Sequence, residues 1–293
     1  MNEQQPNMLQ GWFKRLIQFS LMRDSWISAR QLAPNFITLL SICCALLSIR
    51  WAVEREFEWS MAAIIGSALL DGVDGRMARY LNAQSKFGEE FDSLADFVAF
   101  GVAPGILLFN WGLVLHEGFG WAAITALALC CGVRLARFNA WIGREQNDWE
   151  KDYMMGVPAP AGAMLSLLPL YLDGLKAFGQ PHLVGLTQIS WASWAVVAYT
   201  VMVAFLMVST IPTFAGKKTL DRMVRHHPMA AMALVAAFAI LMFTYPYATL
   251  AAGSMIYLVL MPLGVRKFLK LMKLDDEDDE DDLGAPNPSK AAD

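Results

Sequence analysis

Four aspartates lie close together in a chain that is otherwise rich in apolar runs, and they are the residues best suited to chemistry. Asp71 and Asp74 are three residues apart, and Asp92 and Asp96 are four residues apart. At about 100° per residue, each pair shares one face of a helix. Carboxylates at the edge of a membrane are costly unless cations or hydrogen bonds neutralise them. This segment is therefore the first candidate for a functional site.

The chemistry that this group indicates is the binding of hard divalent cations. Oxygen-only ligand sets suit Mg²⁺ or Mn²⁺, which also hold substrate phosphates. The residues from Arg79 to Glu89 allow a turn, so we expect two helix ends to bring the four carboxylates together. Two such ions could flank a phosphate and stabilise both the attacking and the leaving oxygens.

Small and basic residues accompany the aspartates. Gly75, Ala78 and Gly88 remove side-chain bulk where a ligand would approach the backbone. Arg76 and Arg79 could supply charge to phosphate oxygens. A structural explanation also exists, because small residues help helices to pack in lipid and Asp can simply pair with Arg. Eight matched positions within 26 residues favour the functional interpretation.

The composition indicates a polytopic membrane protein of the all-α class. Hydrophobic residues make up 56% of the 293 residues and charged residues 17%, with a mean hydropathy of +0.38. A soluble domain has about 45–50% apolar and about 25% charged residues. Eight apolar segments of about 20 residues, the length that crosses a bilayer, are predicted. They run near 33–53, 58–80, 90–115, 119–142, 159–178, 188–212, 229–246 and 248–266.

Basic residues predict the orientation of these segments. With the N-terminus in the cytoplasm, 20 of the 23 Lys and Arg residues fall on the cytoplasmic side, and only Arg50, Arg55 and Lys176 fall outside. Cytoplasmic loops of membrane proteins carry such an excess. Both termini and the aspartates are then cytoplasmic. The last two segments are separated only by Tyr245-Pro246-Tyr247, so they form either a tight hairpin or one re-entrant element.

The two ends of the chain differ from its centre. Residues 1–30 carry apolar side chains at helical spacing beside Lys14 and Arg15, which predicts a helix lying in the membrane interface. Residues 274–293 contain eight consecutive acidic residues, Asp275 to Asp282, and we expect a disordered tail there. The predicted catalytic domain is residues 31–273.

The spacing D-x2-D-G-x2-A-R-x8-G-x3-D-x3-D resembles the signature of the CDP-alcohol phosphotransferases, integral membrane enzymes of phospholipid synthesis. Every position is filled, by Asp71, Asp74, Gly75, Ala78, Arg79, Gly88, Asp92 and Asp96. Upstream, Pro34-Asn35-x2-Thr38 resembles a motif that often opens these proteins. The signature is highly specific and covers about a tenth of the chain.

The resemblance implies a six-helix core, usually dimeric, with a polar cavity open to the cytoplasm. It implies a two-metal centre ligated by Asp71, Asp74 and Asp92. Asp96 would help to bind metal and act as general base on the acceptor hydroxyl. The CDP moiety would be bound by residues of both motifs, namely Gly75, Ala78, Arg79, Gly88, Asn35 and Thr38.

Two further segments concern the acceptor alcohol. Arg134-Leu135-Ala136-Arg137-Phe138-Asn139 and Gly156-Val157-Pro158-Ala159-Pro160-Ala161 resemble the R-x-x-R-F-N and G-x-P-x-P features of integral membrane phosphatidylserine synthases. We therefore predict Arg134, Arg137 and Asn139 as acceptor-binding residues, since guanidinium groups can hold the carboxylate of serine in a fork. Alternatively, the arginines anchor their helix at the phosphate headgroups, and the Gly-Pro run only starts a helix.

The resemblance implies transfer of a phosphatidyl group from CDP-diacylglycerol to L-serine in a bacterial inner membrane, at a site facing the cytoplasm. Three other acceptors are possible within the same class. Glycerol 3-phosphate and inositol phosphate would require a denser cluster of basic residues than this sequence shows, and choline would require an aromatic cage.

The alternative from a different class is a cation transporter. Its carboxylates would lie near the middle of the bilayer, in broken helices of paired halves, whereas these aspartates lie at one helix end and no repeat is evident. An inactive scaffold is disfavoured because no signature aspartate is missing. No nucleic-acid partner is expected.

Overall fold

A computed structural model describes residues 29–141, 153–175, 190–214 and 227–284, and these form a bundle of helices. The first half contains α1 (Ala29–Val53), α2 (Phe57–Tyr80), α3 (Lys86–Asp96), α4 (Ala103–Trp111) and α5 (Glu117–Trp141). The second half contains α6 (Ala159–Ser166), α7 (Leu168–Leu175), α8 (Ser190–Val208), α9 (Pro228–Thr244) and α10 (Pro246–Gly284). The predicted helical membrane architecture is confirmed.

Helices α1 and α2 form an antiparallel hairpin held by two pairs of buried serines. Ser41 and Ser67 are joined by their hydroxyls at 2.8 Å, and each hydroxyl also reaches the other residue's carbonyl. The hydroxyls of Ser48 and Ser60 are also joined, at 2.9 Å, and here the Ser60 hydroxyl donates to the Ser48 carbonyl. Small hydroxyl side chains let helix backbones approach closely in lipid. The pairing places the start of α1 beside the end of α2.

Helices α3 and α4 form one rod, joined by a π-helical segment, Phe97–Val102, which directly follows Asp96. Ser85 caps the start of α3 by accepting a hydrogen bond of 3.0 Å from the Gly88 amide. Helix α5 packs closely on the rod, because a Cβ added at Gly101 would lie only 3.1 Å from that of Cys131. This contact places the end of α5 near the start of α3.

Five helical spans in the described residues are long and apolar enough to cross a membrane. They are Leu32–Val53, Lys86–Trp111, Gly118–Ala140, Trp191–Val208 and Pro246–Arg266. The other three segments of the predicted eight are not among them. Each has a feature that explains this: α2 contains charged residues near its end, the helix of segment 159–178 is interrupted at Leu167, and α9 has only 17 residues. Eight membrane crossings therefore stay a prediction.

The structure differs from the sequence prediction in two local features and bears on a third that the sequence left open. A short antiparallel ladder pairs β1 (Tyr153–Met155) with β2 (Pro212–Phe214), where we expected only helix and loop. Of the two arrangements considered for the last segments, the structure has two helices joined through Tyr245. α10 also continues to Gly284, so the acidic run expected to be disordered is helical to that residue. Residues 265–283 contain no Gly or Pro, so no helix-breaking residue ends α10 before Gly284.

The predicted interfacial helix, Leu9 to Ile17, lies outside the described residues.

Candidate active site

Three carboxylates converge where the end of α2 meets the start of α3. Asp71, Asp74 and Asp92 each offer one oxygen, and these oxygens all lie within 4.8 Å of one another. Asp74 is only 3% exposed, and the other two are half-buried. The helical spacing puts Asp71 and Asp74 on one face, and the turn after Tyr80 returns the chain so that Asp92 meets them.

Asp74 is held by a hydrogen bond at each oxygen. The Thr38 hydroxyl, on α1, donates to Oδ2 at 2.7 Å. The Gly75 amide donates to Oδ1 at 2.6 Å. These two donors fix the orientation of a carboxylate that faces two others.

The three carboxylates are suited to binding a divalent cation, because their negative charges lie close together. In the described part of the chain, no salt bridge neutralises any of them. The Oδ1 atom of Asp92 is buried and has no hydrogen-bond partner among the described residues. A buried, unpartnered carboxylate oxygen is costly, and a cation would satisfy it. Three carboxylates without nitrogen or sulfur ligands suit Mg²⁺ or Mn²⁺.

Asp96 lies next to this group rather than within it. Its carboxyl group is within hydrogen-bonding reach of Asp71. The Arg134 guanidinium on α5 is also close enough to attract it electrostatically. The structure thus brings the four predicted aspartates together, with Asp96 on the side that faces α5.

A cavity of about 250 Å³ opens beside the carboxylates. Asp74 and Asp92 form one part of its wall. The six residues predicted to bind CDP all line it, namely Asn35, Thr38, Gly75, Ala78, Arg79 and Gly88. Three separate elements, α1, α2 and α3, supply these residues. A role in binding CDP stays a prediction for each of them.

The two signature glycines of the cavity have different surroundings. A Cβ added at Gly75 would meet no atom within 4 Å, so this position leaves open space toward the cavity. A Cβ at Gly88 would lie 3.2 Å from both Asn35 Oδ1 and Ser85 Oγ. Gly75 therefore gives room for a ligand, whereas Gly88 lets two polar side chains approach α3.

Four residues line the cavity that the sequence analysis did not select, namely Ala83, Gln84, Ser85 and Glu89. They come from the turn between α2 and α3 and from the first turn of α3. Ser85 could have been found, because a Ser just before a helix is typical of an N-cap. Gln84 gave no signal, since it lies in the variable spacer of the signature.

The three predicted acceptor residues have different environments, and the cavity described above does not include them in its lining. Arg134 is 9% exposed, and its guanidinium lies 5.6 Å above the ring of Phe138 and near Asp96. Arg137 donates a 2.7 Å hydrogen bond to the Val208 carbonyl at the end of α8. Asn139 donates to the Ser93 hydroxyl at 2.9 Å, on α3. Of the three, Arg134 is the residue with a recorded electrostatic interaction with a signature aspartate, Asp96.

The Gly156-Pro160 segment packs against the end of α8. Gly156 has φ +74°, and an added Cβ would lie 2.6 Å from the Met207 carbonyl oxygen. Only glycine fits this close approach and this backbone conformation without strain. The Gly156 amide donates to the Ile211 carbonyl at 2.9 Å. This segment therefore starts α6 and joins it to the end of α8.

Comparison with known proteins gives consistent matches. The CDP-alcohol phosphatidyltransferase family profile matches residues 31–180, and a second profile, CDP-alcohol phosphatidyltransferase 2, matches residues 229–262. A CDP-diacylglycerol–serine O-phosphatidyltransferase of Mycobacterium leprae is 36% identical over 239 residues, which is 80% of this chain and 75% of that protein.

Two further relatives carry the same name. The Mycobacterium bovis protein is 39% identical over 62% of this chain and 60% of its own length. The Helicobacter pylori (strain 26695) protein is 34% identical over 84% of this chain and 94% of its own length. The chain thus covers from about three fifths to nearly all of these relatives.

Proposed function

Because the chain belongs to the CDP-alcohol phosphatidyltransferase family, we propose that it transfers a phosphatidyl group from CDP-diacylglycerol to L-serine. The products are phosphatidylserine and CMP. The carrying observation is the group of three carboxylates, with an unpartnered oxygen on Asp92, beside a cavity lined by the signature residues. The names of the relatives support serine as the acceptor.

Asp71, Asp74 and Asp92 would hold divalent cations, Mg²⁺ or Mn²⁺, with Asp96 as an additional ligand. When bound, such ions stabilise negative charge on the phosphate oxygens. Of the other residues that line the cavity, Asn35, Gly75, Ala78, Arg79 and Gly88 bind the CDP moiety. Arg79 is suited to a phosphate, because its side chain is exposed and its Nε already donates to the Gly75 carbonyl at 3.1 Å, which holds it over the cavity.

Asp96 is the proposed general base. It lies beside the metal-binding group and faces Arg134, so a serine held on that side has its hydroxyl between the carboxylate and the phosphate. Asp96 takes the hydroxyl proton as the serine oxygen forms a bond to the β-phosphorus, which carries the diacylglycerol. The bond between that phosphorus and the bridging oxygen breaks, and CMP leaves with the electron pair.

Arg134 is the proposed ligand of the serine carboxylate. A guanidinium forms two parallel hydrogen bonds with a carboxylate, and this pairing is strongest in a partly dry site. Arg137 and Asn139 remain part of the proposed acceptor site. Their hydrogen bonds to Val208 and Ser93 hold α5, which carries Arg134, against α8 and α3.

The proposed setting is a multi-pass protein of the bacterial inner membrane, with the site facing the cytoplasm and residues 31–273 as its catalytic domain. The excess of basic residues on one side supports this orientation. CDP-diacylglycerol would enter laterally from the lipid. We further propose a homodimer, on the resemblance alone.

The test uses the purified full-length protein in detergent–lipid micelles with CDP-diacylglycerol and a panel of acceptors: serine, glycerol 3-phosphate, inositol phosphate and choline. We expect CMP release and a labelled lipid product only with serine. Turnover with a different acceptor instead of serine would overturn the serine assignment, but the assignment to the CDP-alcohol phosphatidyltransferase reaction would stand. Absence of CMP release with every acceptor would overturn the enzyme proposal, and cation uptake by proteoliposomes would then support the transporter alternative.

A further inference from the structure

Thr38 lines the cavity, yet its hydroxyl is already engaged. The residue is 4% exposed, and its Oγ1 lies 2.7 Å from Asp74 Oδ2 and 3.1 Å from the Pro34 carbonyl oxygen. A hydroxyl has a single hydrogen to donate. The carboxylate is both the closer acceptor and the charged one, so the hydrogen goes to Asp74.

This hydrogen bond completes the support of Asp74. The other oxygen accepts from the Gly75 amide, which belongs to the next residue of α2. Without Thr38, the carboxylate would keep only this local contact and could rotate about its side-chain bonds. Thr38 is on α1, so its hydrogen bond also fixes the carboxylate relative to a second helix.

We propose that Thr38 is a positioning residue for the metal site, which it serves by orienting Asp74, rather than a ligand of CDP. The inference rests on the proposed function, in which Asp74 binds a divalent cation. Partners that orient metal ligands typically change metal affinity or activity about 10–100-fold when they are removed. The two roles are separable, because a positioning residue affects metal binding even when no nucleotide is present.

The experiment measures Mn²⁺ binding to the purified full-length protein by electron paramagnetic resonance, without CDP-diacylglycerol. Thr38→Val keeps the shape of the side chain and removes the hydroxyl. We expect it to weaken Mn²⁺ binding about 10–100-fold. Thr38→Ser keeps the hydroxyl, and we expect it to bind Mn²⁺ almost as tightly as the unchanged protein does.

Ser41→Ala is the matched control. Ser41 lies three residues further along α1, is equally buried at 2% exposed, and hydrogen-bonds Ser67 instead of a carboxylate. Ser41→Ala removes a buried hydroxyl from the same helix interface, and we expect its Mn²⁺ affinity to be unchanged. Should Thr38→Val not yield folded protein, Thr38→Ala takes its place in the same comparison.

Three results would overturn the inference. One is unchanged Mn²⁺ affinity in Thr38→Val, and another is equal weakening by Thr38→Val and Thr38→Ser. The third is a variant that changes only the KM for CDP-diacylglycerol, which would make Thr38 a nucleotide contact. If the unchanged protein itself binds no Mn²⁺, the proposed metal site fails, and the inference fails with it.

Discussion

The interface between α1 and α2 contains two kinds of buried polar contact, and they differ in whether every polar atom has a partner. In the serine pairs, which we call the serine layer, every hydroxyl is hydrogen-bonded to the other hydroxyl, to a carbonyl or to both. One helical turn away, Thr38 and Asp74 form an equally short hydrogen bond. The Asp74 carboxylate belongs to a group of three that form no salt bridge with any described residue.

The difference separates structural from functional polarity in one interface. Buried polar groups in stable structures are hydrogen-bonded, because an unsatisfied group retains its full cost of desolvation. The serine layer meets this requirement by itself. The carboxylate layer does not, since Asp92 Oδ1 is buried without a partner. Such an arrangement is expected where a ligand supplies the missing contact.

Removal of divalent cations should have the largest effect on activity, and it should act on the carboxylates and not on the serine pairs. We expect a chelator to reduce CMP release to the uncatalysed level, and added Mg²⁺ or Mn²⁺ to restore it. Because the cation binds the folded state, it should also raise the Tm in proportion to the logarithm of its concentration above Kd. Calorimetry and CMP release check both effects. Full activity in the chelator would remove the metal centre from the proposal.

Asp96→Asn should have the next largest effect. The amide keeps the size of the side chain but cannot accept the serine proton, and general bases contribute about 10²–10⁴-fold to rate. We expect kcat to fall by that factor while binding of CDP-diacylglycerol largely survives. Equilibrium binding of a labelled CDP-lipid, measured beside turnover, distinguishes the roles. Loss of binding together with turnover would make Asp96 mainly a ligand.

Arg134→Lys should have a smaller effect that is specific to the acceptor. Lysine keeps the charge near Asp96 but cannot form the two-fold contact with a carboxylate. A hydrogen bond to a charged group is worth about 1.5–3 kcal/mol, so we expect the KM for serine to rise about 10–100-fold. The KM for CDP-diacylglycerol should change little, as steady-state kinetics with each substrate varied will show.

Arg137→Lys is the matched comparison within the same motif. One amino group of its guanidinium, Nη1, donates to the Val208 carbonyl and joins α5 to the end of α8, so we expect the main effect of this variant on thermal stability. A larger rise in the KM for serine with this variant than with Arg134→Lys would contradict the assignment of Arg134 as the residue that faces the acceptor.

The helical class and the convergence of the aspartates were predictable from local patterns. Asp71 and Asp74 share a helix face by spacing alone, and the short connection to Asp92 forces two helix ends together. The bulk composition was sufficient to indicate a membrane protein. These features depend on periodicity and chain length, which a single sequence carries.

Contacts between distant segments were not predictable. The hydrogen bond between Thr38 and Asp74 depends on the register of α1 against α2, which no local pattern gives, so the resemblance offered only the role of Thr38 in binding CDP, which stays a prediction. Acceptor binding by Arg137 stays a prediction, and its contact with the Val208 carbonyl, 71 residues away, gave no local signal. The break at Leu167 and the π-helical turn after Asp96 also gave no local signal. Each depends on packing that forms only in the assembled bundle.

The serine layer should show the smallest effect, confined to stability. The Ser60 hydroxyl donates to the Ser48 carbonyl at 2.9 Å, so the hydrogen between the two hydroxyls comes from Ser48. Ser60→Ala would leave the Ser48 hydroxyl without its acceptor, whereas Ser48→Ala would leave Ser60 still bonded to the carbonyl. Hydrogen bonds between membrane helices average about 0.6 kcal/mol, up to about 1.7. We expect Ser60→Ala to approach the upper value and Ser48→Ala the lower.

Denaturation in mixed micelles measures these differences, and the double variant Ser48→Ala, Ser60→Ala tests their origin. If the cost of Ser60→Ala comes from the stranded Ser48 hydroxyl, the double variant will be no less stable than Ser60→Ala alone. Both serines lie toward the end of the hairpin opposite Asp74, so CMP release per folded molecule should not change. A loss of specific activity in these variants would contradict the separation between a structural layer and a functional one.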